Sequence, residues 1–205
     1  MDSEDVFGII SKSHDPQGLA RDMLSDFVVS HAHQMASEFK EIRDSGETYR
    51  PRVHMLDGDS VTIVVKLRSP NFEGDALSCL TEALTPVLWT KTDKVIYAYD
   101  AEVSDDMGKM TEAMVIVFAS DSGLGGQVRP YEMTDSGLQW KNDDADISPE
   151  VASQEVDPVI ALTILGFVTT ERHGHGMKDL DRITDLMAYG GHDLEIDRTL
   201  ALNKG

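Results

Sequence analysis

Glu112-Ala113-Met114-Val115-Ile116-Val117-Phe118-Ala119 is the stretch that decides how this chain folds. Five consecutive large apolar residues, Met114 to Phe118, leave neither face of a strand polar, so this strand is central and covered on both sides. Lys94 to Val103 precedes it with Val95, Ile96, Tyr97 and Tyr99, and Gln127 to Thr134 follows with Val128, Tyr131 and Met133. Asp135-Ser136-Gly137 then turns the chain into Leu138-Gln139-Trp140, a short edge strand. Upstream, Arg52 to Leu56 and Ser60 to Leu67 flank Asp57-Gly58-Asp59, a strong tight-turn signal, and form a hairpin. Val61, Ile63, Val65 and Leu67 alternate along its second strand, which predicts one shared buried face.

Two helices flank the hairpin. Asp15-Pro16 supplies an N-cap and a first-turn proline, and apolar residues from Leu19 to Ile42 recur at three- and four-residue steps. The spacing predicts one long helix ending at Gly46. A second helix runs from about Gly74 to Leu88, with Pro86 distorting its last turn. Helix, hairpin, helix and a run of antiparallel strands make an α+β plan, a mostly antiparallel sheet covered by helices.

The pattern changes after residue 141. Residues 142–157 hold six carboxylates and no base, and read as an acidic linker. Asp157-Pro158 repeats the helix-start signal, and Val159 to Val168 is apolar on nearly every side, so it needs cover from its own domain or from another subunit. A last helix spans Met177 to Tyr189 and stops at Gly190-Gly191. The expected organisation is an α+β domain over 1–141, the linker over 142–157, and a C-terminal helical appendage over 158–205.

With 37 acidic against 18 basic residues, the chain carries a formal charge of -19. Such a surface repels phosphate backbones and anionic lipid, which argues against direct nucleic-acid or membrane binding. A single cysteine, Cys79, forms no internal disulfide and sits on an apolar helical stripe, as a small core residue would. The acidic N-terminus lacks a secretory pattern and the longest apolar run is too short for a bilayer, so a cytoplasmic location is expected.

Few residues offer chemistry. His173-Gly174-His175, with Asp179 and His192 nearby, is the candidate metal site, since imidazoles and carboxylates suit zinc or iron and flanking glycines let the backbone bend. His31 and His33 lie two residues apart on a helix, so their rings diverge and cannot share an ion; His31 lies near the apolar stripe. Gly123-Leu124-Gly125-Gly126 stands between two strands and reads as a hairpin connection instead of a phosphate cradle. Tyr49-Arg50-Pro51-Arg52 is a local basic patch, expected to be a solvated connection. No hydrolase, metalloprotease or P-loop motif occurs, so no catalytic residue and no cofactor are assigned.

Glu112 to Gly123, followed by Arg129-Pro130-Tyr131, resembles a strand and arginine-containing hairpin in uncharacterised α/β proteins of bacteriophages and mobile elements, over roughly residues 17 to 141. The resemblance implies a setting and no activity. The expected role is a non-enzymatic accessory or protein-interaction protein, oligomeric or bound to another protein through the apolar helix 159–168. The alternatives are a metal-dependent enzyme using the His173/His175 turn, and an acidic DNA mimic that inhibits a nucleic-acid-binding protein.

Overall fold

A computed structural model describes residues 15–72, 74–88, 90, 92–104, 108–141, 163, 164, 166 and 177–197. Two helices open this part of the chain, α1 (Pro16–Met23) and α2 (Asp26–Asp44), where the apolar period predicts one. The periodicity runs through the break without marking it. Ser25 makes the break: its backbone is extended and its hydroxyl accepts from Val28 N at 3.3 Å, capping a new helix. Leu24, assigned by period to the buried stripe, is exposed at the joint.

Strands β1 (Arg52–Asp57) and β2 (Ser60–Lys66) form the expected hairpin around Gly58. Helix α3 (Asp75–Ala83) yields to a 3-10 turn at Thr85–Leu88, where Pro86 lacks the N–H that would continue it. Strands β3 (Lys94–Ser104), β4 (Met110–Ser120), β5 (Gly123–Thr134) and β6 (Gly137–Trp140) follow as an antiparallel meander. Helix α4 (Met177–Tyr189) and strand β7 (Asp193–Ile196) close the described chain. The seven strands lie in the order β6-β5-β4-β3-β1-β2-β7, and every neighbouring pair is antiparallel. The fold is α+β.

The central strand is buried on both faces, as its composition requires. Val115, Val117 and Ala119 enter one core with Val53, Met55, Leu80, Leu84, Ile183 and Met187, under α3 and α4. Met114, Ile116 and Phe118 enter the other with Leu19, Met23, Met35, Phe39 and Tyr131, under α1 and α2. A bulge in the hairpin interrupts the predicted alternation: Met55 pairs with Ile63 but Leu56 pairs with Val61, leaving Thr62 as the extra residue. Ile63 and Val65 therefore face the α3 side, whereas Val61 packs on the α2 side.

The chain beyond residue 158 contributes more than helix. Strand β7 pairs with β2 from Ile63↔Ile196 to Lys66↔Asp193, and Leu194 and Ile196 pack on the first core. Ile164 is fully buried in that same core within the single chain. Residues 142–157, and 158–176 apart from 163, 164 and 166, lie outside the described part, as do His173, His175, Asp105 and Asp106. Among the described residues no helix is long and apolar enough to cross a membrane.

The glycines expected to turn a hairpin instead begin β5, and the turn falls on Asp121 and Ser122. Gly125 is where α1 lands: a Cβ there would stand 2.0 Å from Met23 Sδ. The stretch is a bare landing surface for a helix.

Candidate functional site

Helices α1 and α2 cover the β3–β6 half of their face of the sheet. Toward β1, β2 and β7 that face opens into a groove of about 660 Å³. Its floor is Arg52 and His54 of β1, Val61, Val64 and Lys66 of β2, and Glu195 of β7; its wall is the flank of α2, with Phe27, His31, Gln34, Glu38 and Glu41. Strand pairing explains the floor, because His54 is level with Val64 and Val64 with Glu195, and Arg52 is level with Lys66.

Two imidazoles meet there. His31 Nε2 and His54 Nδ1 are 2.9 Å apart, a hydrogen bond in which one ring donates and the other accepts. His31 also stacks parallel on Phe27, with ring centroids 5.8 Å apart. Burial pushes the His54 pKa down to about 3, helped by His31 and by the cations Arg52 and Lys66. His31 is lowered by burial as well, against the opposing field of Glu38. Both rings are neutral at neutral pH.

The cations of the groove are already engaged. Arg52 is buried, lies 4.9 Å over the Tyr49 ring and pairs with Glu38, while Lys66 pairs with Glu195 at 2.8 Å. Arg52 Nε and His54 Nε2 are buried without a hydrogen-bond partner. The segment expected as a solvated basic connection is thus an internal strut. Tyr49 is buried, and Arg50 donates to Leu67 O at 2.8 Å and to Asp193 at 2.5 Å. The arginines work as local ties because carbonyls and carboxylates stand within reach of each guanidinium.

A second constellation lies on the opposite face, around a cavity of about 470 Å³ between α3 and α4. His192, one of the candidate ligands, is buried there: its Nδ1 accepts from Arg68 N at 3.1 Å and its Nε2 lies 3.1 Å from Glu82 Oε2. Arg68 pairs with Asp75 through two bonds, at 2.5 and 3.1 Å, and with Glu82 at 3.5 Å. Those bonds, with the Asn71 N–H, hold the Asp75 carboxyl down at about 2. Both nitrogens of His192 are therefore occupied in tying the α4–β7 turn to Glu82 of α3 and to the segment after β2 at Arg68. Asp179 is placed as part of the α4 backbone, and His173 and His175 fall outside the described residues. Among the described residues no group of three or more His, Cys, Asp or Glu side chains is arranged to hold a metal ion. Cys79 is buried, with its thiol pKa raised by desolvation, and Leu80 beside it on α3 enters the first core.

His33 is exposed, as its helical offset from His31 predicts. The partner His31 does find was not identified from sequence, although one signal was present. In β1, Val53 and Met55 point to one core, so His54 between them must point to the other face of the sheet.

The pair makes stability pH-dependent in a defined window. An unfolded imidazole titrates near 6.5, whereas His54 in the fold resists protonation down to about 3. Above 6.5 neither state takes a proton; below it the unfolded chain does and the native state does not, so stability falls as pH falls. Urea midpoints should show a loss of about 2 kcal/mol between about pH 7 and about pH 5, and His54→Phe should flatten that slope. An unchanged slope in the variant would refute the assignment to His54.

Searches of protein-family models, curated proteins and solved structures found no match to this chain.

Proposed function

We propose that the protein is a non-enzymatic interaction protein whose acidic surface takes a basic protein partner, with the α2 and β1–β2–β7 groove as the contact site. One observation carries the reading: the bases near this groove are neutralised from within. Arg52 is held by Glu38, Lys66 by Glu195, and Arg50 by Asp193. Of the 37 carboxylates against 18 bases, the excess is what an approaching molecule meets. Such a field speeds encounter with a cationic partner and rejects anionic ones. Exposed Glu41 on the wall and exposed Glu195 on the floor, in a groove lined also by Phe27, Val61 and Val64, suit a basic segment that also buries an apolar side chain. A phage or mobile-element setting belongs to the same proposal, as does self-association through the segment 159–168 apart from Ile164, which the chain's own core covers.

Fluorescence anisotropy with a short labelled Lys- and Leu-containing peptide tests it. Binding should weaken as salt rises to about 0.15 M, and Glu41→Lys with Glu195→Lys should raise Kd by about tenfold. Glu132→Lys, an exposed change on β5, should have little effect. Equal losses in the groove and β5 variants, or equal binding of an uncharged peptide, would remove the groove from the proposal.

A further inference from the structure

We propose that His31 and His54 form a binding site for one divalent transition-metal ion of borderline softness, zinc or copper, held between His31 Nε2 and His54 Nδ1. The observation is the approach of these two nitrogens to 2.9 Å at the head of an open groove. The hydrogen bond brings both ring nitrogens to one place, and a metal ion held by the two would lie beside the line that joins them. Metal–nitrogen distances of about 2.0–2.1 Å place two tetrahedral ligands about 3.3 Å apart with the ion about 1.2 Å off the line between them, so the nitrogens must part by about 0.4 Å and the rings turn by about 35° to aim at it. His54 is fixed in the sheet, while His31 stands half-buried on the flank of α2 against Phe27, free on its groove side to make that shift.

Metal ligation requires neutral imidazole, and burial keeps both rings neutral. Exchange of the bridging proton for a metal leaves one N–H on each ring, at His31 Nδ1 and His54 Nε2, so no proton is released at neutral pH. Arg52 and Lys66 oppose positive charge at His54, and the carboxylates paired with them, Glu38 and Glu195, offset part of that field. The positions left open face Gln34, Glu38 and solvent in the groove. With two protein nitrogens in place of a closed set of four, the affinity expected is micromolar and below that of a structural zinc site.

The test uses the full chain without an affinity tag, with His173→Ala and His175→Ala introduced so that those imidazoles cannot contribute. Calorimetric titration with Zn2+ at about pH 7.5, where the unperturbed imidazole is already neutral, should show one ion per chain. The heat should be independent of the buffer's ionisation enthalpy. His31→Ala in that background substitutes a good helix former on α2; circular dichroism should show an unchanged fold and Kd should rise at least about tenfold. Absence of binding in the background protein, or a smaller change in His31→Ala, would overturn the site.

Discussion

Truncating Phe39 to alanine is expected to remove about 3–5 kcal/mol of stability, through lost burial and the cavity left behind. Phe39 is fully buried in the core beneath α2. Its ring lies 4.7 Å from Tyr49, 5.4 Å from Tyr131 and 5.8 Å from Trp140, centroid to centroid. Each such aromatic contact contributes about 0.5–1.5 kcal/mol beyond area burial, and three of them are lost together. The effect should extend to the groove. Tyr49 carries the Arg52 guanidinium 4.9 Å above its ring, and Arg52 in turn holds Glu38 on the groove wall. Urea denaturation at constant slope measures the loss. A cost below about 1 kcal/mol would mean that the aromatic cluster collapses onto the space and that Phe39 is not its hub.

The second large effect concerns Gly125. A Cβ at this position would stand 2.0 Å from Met23 Sδ and 2.2 Å from its Cε. Met23 is almost fully buried, so its thioether has little room to retreat. Gly125→Val should therefore destabilise by about 1–3 kcal/mol through overpacking or displacement of α1. Met23→Ala should cost about 2–5 kcal/mol by itself. The two changes compete for one volume, so the double variant should be more stable than the sum of the single costs predicts, by about 1 kcal/mol or more. Strict additivity in the thermodynamic cycle would show that α1 does not rest on Gly125.

Much of the fold can be read along the chain. The run Met114 to Phe118 identifies a strand covered on both faces, and the Asp57-Gly58-Asp59 turn identifies the hairpin, because both signals are local. The helix break at Ser25 and the bulge at Thr62 escape the same reading. The first is hidden because the apolar residues keep their period through Leu24 even though the chain re-caps at Ser25. The second is hidden because the alternation of Val61, Ile63 and Val65 looks regular until pairing with Met55 and Leu56 shows one residue too many.

The candidate site was less legible than the fold. His31 could be placed beside an apolar stripe, and His33 beside solvent, by helical geometry. That His31 meets His54, 23 positions later, depends on α2 crossing β1 at one height. Arg52 and Arg50 look like solvated charge in sequence and become internal ties because β2, β7 and α2 bring carbonyls and carboxylates to them. His192 looks like a free imidazole beside two glycines, yet Arg68 and Glu82 occupy both of its nitrogens.

Sequence by itself determined the class of this protein: an acidic α+β chain, with a central strand too apolar to show either face to water and turns placed by Asp-Gly and Asp-Ser-Gly. Tertiary structure alone decided the pairing of His31 with His54, the groove above them and the lodging of β7 at the sheet edge. The physical reason is range. Propensity and periodicity act over a few residues, whereas a hydrogen bond between two rings requires a sheet and a helix to be packed first.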